Sequence, residues 1–348
     1  MAEEQQRAES KSQDVAEDKP WPDVRARPRT FFNAPLCVDI SELDADVAFV
    51  GMPFDQGTFG RPGARYGPDG VRDAGRAYSY VNLQDGTEAP GYFSSDLGKE
   101  LLKGVTMADC GNITVVPSDV LKNFQKLTNT VEAIVKRNAF PVIVGGDHAI
   151  TFPIVRALSR FEPLDIVHFD AHMDYSHDSQ GVLYTHGNPI RRCRELSFVR
   201  NISSIGIRKE SRKVYDEAIA DGNLVVTTRR FKELGPERVI DLVAPSENLY
   251  ITIDIDALDP THAPGTGTPE TGGLYYEELR DALLHLARNH HIIAFDVVEV
   301  APPYDSAEVT TMAAAKLIID LLSEIFPSKE DTEAESLSQP VKAPTDNS

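Results

Sequence analysis

The chain has only three cysteines in 348 residues, Cys37, Cys110 and Cys193, an odd and widely spaced set. That argues against a disulfide framework and for a reducing compartment. Long hydrophobic runs are missing too. Stretches such as Phe140 to Ile143 and Ile292 to Phe295 fall far short of the roughly 20 residues that span a bilayer, so no membrane partner is expected. The start, Met1-Ala2-Glu3-Glu4-Gln5-Gln6-Arg7, lacks the basic segment and apolar stretch of a secretory signal, which points to a cytoplasmic protein. Positive charge is scarce: 35 Lys and Arg against 54 Asp and Glu leave a net charge of -19. Such a surface repels phosphate backbones, so nucleic acid is not an expected partner. An acidic balance suits small cations, although it also serves simply to keep a protein soluble.

What remains is the make-up of an ordinary globular chain, 41 % hydrophobic and 26 % charged. Residues 1–28 are charged and nearly empty of large aliphatics, which predicts a disordered or loosely docked arm, and the tail over 327–348 repeats that character. Between them, over 29–326, short apolar runs alternate with helical patterns, and nothing resembles an internal repeat or a linker, so one domain is expected. Val47 to Val50, Pro141 to Val144, Asp165 to Phe169, Ile202 to Ile207, Leu224 to Thr227, Leu249 to Ile255 and Ile292 to Val298 read as strands. Pro117 to Asn138 and Tyr276 to Arg288 read as helices. A last helix is expected to begin at Asp305, with Glu308 completing a capping box, and to stop at Pro327. Alternating strands and helices imply a parallel sheet covered on both faces, with ligands beyond the carboxyl ends of the strands.

Polar residues collect at those ends. Val144 is followed by Gly145-Gly146-Asp147-His148, Phe169 by Asp170-Ala171-His172-Met173-Asp174, Ile253 by Asp254-Ile255-Asp256, and Val298 by Glu299. In extended backbone alternate side chains face the same way, so Asp170, His172 and Asp174 can converge, as can Asp254 and Asp256. Carboxylates with a few imidazoles are the ligand set of a hard to borderline divalent metal. Together with His148 the candidates outnumber the needs of one ion that must also meet a substrate, and two ions account for them better. A single Asp-x-Asp at a strand end is more often a turn or cap; several clusters at one rim are not. His168, inside a strand, reads as a hydrogen-bonded structural histidine, and His177, His262, His285, His290 and His291 as surface or supporting residues.

Gly-Gly-Asp-His at 145–148, Asp-Ala-His-Met-Asp at 170–174 and Asp-Ile-Asp-Ala-Leu-Asp-Pro at 254–260 resemble the signatures of the ureohydrolase family of arginases and agmatinases. Gly51 to Asp55, Arg61 to Pro68, Gly265 to Glu270 and Glu299 to Asp305 resemble its agmatinase branch in particular, and the similarity spans most of residues 30–326. The resemblance implies a three-layer α/β/α sandwich with an eight-stranded parallel sheet. It implies two divalent ions, Mn2+ or alternatively Ni2+, with Asp170 and Asp254 bridging, His148 and Asp174 completing one site, and His172 and Asp256 the other. It makes Asp174 a hydrogen-bonding guide for the attacking hydroxide, His186 a proton shuttle and Glu299 the holder of a guanidinium. Such a protein hydrolyses a small cationic guanidino compound to urea and an amine, as a homo-oligomer (trimer or hexamer) or beside a paralogous subunit.

Asn112, Asn188 and the loop Ser176 to Gly181 differ from the residues usual in agmatine-specific enzymes, which leaves open guanidinobutyrate, guanidine, or substituted guanidines and biguanides such as metformin. The residues that read the substrate's tail are expected in Tyr175 to Leu183 and Tyr78 to Phe93. Two other readings stand beside this one: a non-catalytic subunit, which need not keep every ligand, and an amide-deacetylating fold, which needs one zinc and fewer acids.

Overall fold

The computed structural model describes residues 29–81 and 88–328. The expected arm over 1–28, the tail from 329 and part of the segment 78–93 lie outside the described residues. One eight-stranded sheet organises the rest. Its strands are β1 (Val47–Met52), β2 (Met107–Asn112), β3 (Phe140–Gly145), β4 (Leu164–Phe169), β5 (Val199–Ile207), β6 (Leu224–Thr227), β7 (Leu249–Asp254) and β8 (Ile292–Val298). They lie in the order β6-β5-β4-β7-β8-β3-β1-β2, every pairing parallel.

The alternation of side chains on these strands builds a core on each face. Val47 and Phe49, Val142 and Val144, and Ile251 and Ile253 point to one side; Ala48 and Val50, Ile143 and Tyr250 point to the other. The helices, in chain order, are α1 (Gly67–Gly75), α2 (Val120–Lys136), α3 (Thr151–Ala157), α4 (Pro189–Arg194), α5 (Arg212–Ala220), α6 (Thr228–Leu234), α7 (Pro236–Ile240), α8 (Tyr276–Asn289) and α9 (Val309–Ile325). The first core takes Val71, Phe231, Val239, Leu283 and Leu317 from α1 and α6 to α9. The second takes Phe124, Ile154, Ile190 and Ala218 from α2 to α5. The result is the three-layer α/β/α sandwich. No helix among the described residues is long and apolar enough to cross a membrane.

Two expectations need correction. The run Met-Ala-Asp-Cys-Gly-Asn is the eighth strand, β2, although its pattern is too polar to announce one. It lies at the sheet edge, and Asp109 within it is buried because Arg72 donates to both its oxygens, at 2.8 and 3.0 Å. The last helix begins at Val309, four residues after Asp305, and no capping box forms. Ala307 and Glu308 sit at φ of 62° and 59°, left-handed and non-helical. The Asp305 carboxylate instead reaches over this turn to accept from the Thr310 and Thr311 N–H groups, both at 2.8 Å.

Candidate metal centre

The strands that end in acids or histidines are the four contiguous central ones, β4, β7, β8 and β3. Two glycines let neighbouring backbone approach the ends of β3 and β4. A Cβ on Gly146 would lie 1.7 Å from the Phe54 carbonyl oxygen, and one on Gly206, at φ 97°, would lie 2.9 Å from that of Asp170. Beyond Gly146 the chain turns at once into a short 3-10 turn, His148–Ile150, capped by Asp147, whose Oδ1 accepts from the Ala149 N–H at 3.1 Å.

His148 Nδ1 then faces three carboxylates, Asp174 Oδ2 at 2.9 Å, Asp170 Oδ2 at 3.1 Å and Asp254 Oδ2 at 3.3 Å. Yet this buried nitrogen has hydrogen-bonding geometry toward none of them. Its other nitrogen, Nε2, lies 3.0 Å from Thr252 Oγ1. His172 Nδ1 faces Asp256 Oδ2 at 3.2 Å and Asp170 Oδ1 at 3.3 Å. Asp170 therefore presents one oxygen to each histidine. Asp254 turns Oδ2 to His148 while its Oδ1 accepts from the Asp256 N–H at 2.8 Å. Asp174 stands at φ 49°, a strained conformation held by its own carbonyl, which accepts from Ile190 and Arg191 at the start of α4.

Asp170, Asp174, Asp254 and Asp256 are all buried, and among the described residues no Lys or Arg pairs with any of them. Four buried carboxylates with only imidazoles between them are an unbalanced arrangement. Burial first, then the charges of Asp256 and Asp170, push the Asp254 carboxyl well above its ordinary value. Burial lowers His172, but hydrogen bonding to Asp170 and Asp256 outweighs it and raises the ring to about 12. The unpartnered Nδ1 of His148 and the uncompensated acids fit divalent cations and account for the cluster where no apolar or ion-paired arrangement does.

This arrangement carries a pH prediction. Without metal the His172 proton stays bound until the pH nears 12, whereas a ligand must be neutral, so binding has to displace that proton. Apparent metal affinity is expected to rise by up to about tenfold per unit between about pH 6 and pH 8, with proton release visible by calorimetry in buffers of different ionisation enthalpy. An affinity flat over that range would mean that His172 is not displaced.

Glu299 and His186, the residues expected to hold a guanidinium and to shuttle protons, lie alongside. Glu299, at φ 62°, turns back from the end of β8 so that Oε1 accepts from the His148 N–H and from His186 Nδ1, both at 3.0 Å. Its Oε2 is buried and has no partner. His186 Nε2 accepts from the Phe59 N–H at 3.0 Å, and the Phe59 ring lies edge-on to the imidazole at 5.1 Å. Burial lowers the His186 ring, but Glu299 and the nearby acids raise it to about 9. The Phe59 N–H requires the neutral Nε2. Cations in the cluster would offset the acids, so the neutral ring matches a loaded centre.

His168, expected to be a hydrogen-bonded histidine, bonds Ser204 Oγ at 3.1 Å and Asp170 Oδ2 at 2.8 Å and lies within the same His and Asp cluster. His285 and His291 bond Asp241 and the Glu247 carbonyl, His262 packs on Tyr275 and His177 bonds Asp178, all away from the cluster. Asn112 contacts Arg72 and Asp69. Asn188 is buried and accepts from the Thr185 N–H at 2.8 Å, pinning the turn that carries His186. Both asparagines are framework residues here. The loop after Tyr175 folds on itself through Ser179 and Val182 and is tied to that turn by the bond from Ser176 N–H to Gly187 O at 3.2 Å.

Sequence reasoning missed the supports. Thr252, which meets His148, donates to Asp296 Oδ1 at 2.6 Å; Thr151 donates to Asp296 Oδ2 at 2.7 Å, as does Tyr250. Thr268 donates to Asp256 Oδ2 at 3.2 Å. Thr252 sits two residues before Asp254 and therefore on the same strand face, a signal that could have been read. Asp296 is its register partner across β7 and β8, which only the fold reveals.

An α/β sandwich with a buried His and Asp cluster at the carboxyl ends of its central strands defines a class, the α/β metallohydrolases. The comparisons narrow it. The Arginase family model matches residues 45–323. The agmatinase of Bacillus subtilis (strain 168) is 33% identical over 281 residues, 80% of this chain and 91% of that protein. The guanidinopropionase of Pseudomonas aeruginosa is 35% identical over 326 residues, 88% of this chain and 96% of that one. The structure of proclavaminate amidino hydrolase from Streptomyces clavuligerus superposes with a TM-score of 0.76 at 32% identity, covering 86% of this chain and 97% of its own. The chain belongs to the Arginase family, on its agmatinase branch, and is a hydrolase of linear amidine C–N bonds.

Proposed function

We propose that this enzyme hydrolyses a small guanidino compound to urea and an amine at a pair of divalent ions. The observation that carries the reading is Glu299 Oε2, a buried carboxylate oxygen without a partner beside the cluster. A planar cation with several N–H donors satisfies such an oxygen, and a neutral amide does so less well. The relatives named agmatinase and guanidinopropionase support a guanidino group, and their different names leave the tail to the loops.

In this reading Asp170 and Asp254 would serve both ions, His148 and Asp174 would hold one, and His172 and Asp256 the other. Bound divalent ions supply Lewis acidity, acidifying water enough to make hydroxide available near neutral pH. Glu299 orients the guanidinium carbon toward the cluster. Asp174 would accept a hydrogen bond from the attacking hydroxide and set its direction. His186, bonded to Glu299 through Nδ1, has Nε2 as the atom that, once Phe59 N–H releases it, would take up a proton from water and pass it to the departing amine. Carboxylate-rich ligands suit Mn2+; Ni2+ is the competing choice because it binds nitrogen and oxygen sites more tightly.

The test is urea release after separate loading with Mn2+, Ni2+ or Zn2+, using agmatine, guanidinobutyrate, arginine, guanidine and metformin. Urea from at least one of these is expected. No urea from any, with acetate released from an acetylated amine instead, would replace this reading by deacetylation.

A further inference from the structure

We propose that Arg208 is a positioning residue for one half of the metal centre, the half built by His172 and Asp256. The proposal rests on reading the cluster as a two-ion site. Arg208 follows the end of β5. Its backbone N–H bonds the Ala171 carbonyl at 2.9 Å, and the Lys209 N–H bonds the same oxygen at 3.1 Å, so both grip the residue between Asp170 and His172.

The side chain reaches the other ligand loop. Nη2 donates to the Asp256 carbonyl at 2.6 Å, the Glu270 carbonyl at 2.9 Å and the Leu258 carbonyl at 3.3 Å; Nη1 donates to those of Gly206 at 3.2 Å and Ala257 at 3.3 Å; and Nε donates to Glu270 again at 3.3 Å. Asp256 and Ala257 belong to the 3-10 turn Ile255–Ala257, too short to satisfy its own last carbonyls. The guanidinium fork matches three successive carbonyls in a way that an ammonium cannot. Among the described residues no carboxylate pairs with it, so its charge is spent on backbone dipoles and on the field at Asp256 and Asp170.

The consequence for the ligands is direct. With the backbone of Asp256 fixed, its Oδ1 accepts from the Ala171 N–H at 3.1 Å and its Oδ2 faces His172. Arg208 thus clamps the two loops that supply His172 and Asp256 against each other. The other half of the site is held independently: His148 by Thr252 and Asp296, and Asp174 by its bonds to the start of α4. Loss of the clamp should loosen one ion and spare the other.

The experiment is a metal titration of the full chain, Arg208→Lys beside wild type, with metal content measured directly and Mn2+ followed by electron paramagnetic resonance. Circular dichroism confirms folding, and Arg208→Met serves as the variant without charge. Wild type is expected to take up two equivalents and to show the exchange-coupled signal of neighbouring Mn2+ ions. In Arg208→Lys the second equivalent should bind about tenfold to a hundredfold more weakly, the first should keep its affinity, and the isolated-ion signal should replace the coupled one at limiting metal. Equal weakening of both equivalents, or no change in either, would overturn the positioning role. Wild type taking up a single equivalent would instead overturn the two-ion reading on which it rests.

Discussion

Replacing Asp170 by alanine is expected to lower kcat/KM by more than about a thousandfold, about 4 kcal/mol of transition-state stabilisation, and to strip metal from the protein. Asp170 is the residue whose two oxygens face the two histidines separately, Oδ2 toward His148 and Oδ1 toward His172. No neighbour takes over that position, because Asp254 faces His148 alone and Asp256 faces His172 alone among the described residues. The truncation also leaves His168 Nε2 buried without its acceptor. Urea release and metal content measured on the same preparation check the prediction. A loss smaller than about tenfold would mean that Asp170 does not link the two halves.

Glu299→Gln is expected to cost about a hundredfold to a thousandfold in kcat/KM while leaving metal content unchanged. The amide keeps an oxygen for the His148 and His186 donors, so the local framework survives. Where the unpartnered oxygen stood, however, an NH2 group would point at the N–H groups of the substrate. Charge is lost and a donor faces a donor. Retained metal with collapsed kcat/KM separates this from the Asp170 outcome, where both fall. A Glu299→Gln enzyme within about tenfold of wild type would remove Glu299 from substrate binding.

The clustering of the acids and histidines was legible in the sequence because each lies within a few residues of an apolar strand end, and strand periodicity says which alternate residues face together. The fold class followed from the same alternation of strands and helices. β2 was not legible, since an edge strand needs only one neighbour and can be as polar as Met107 to Asn112. The start of α9 was misread because Asp305 caps across a left-handed turn, and backbone sign is invisible in a pattern of apolar residues. The clamp by Arg208 and the support of Thr252 by Asp296 join segments distant in sequence, so they emerge only when β5, β4, β7 and β8 are placed side by side. Asn112 and Asn188 show the converse. They stood out as departures from a family pattern, yet one pairs with Arg72 and the other pins the His186 turn.

The central claim is that the buried acids and histidines at the rim of β3, β4, β7 and β8 form a two-ion centre for hydrolysis of a guanidino group. Metal stoichiometry measured together with urea release tests it most directly. The account predicts two divalent ions per chain at full activity, with activity gained only as the second equivalent binds and lost on chelation. Full activity with one ion or none, or two bound ions without urea from any guanidino compound offered, would contradict it.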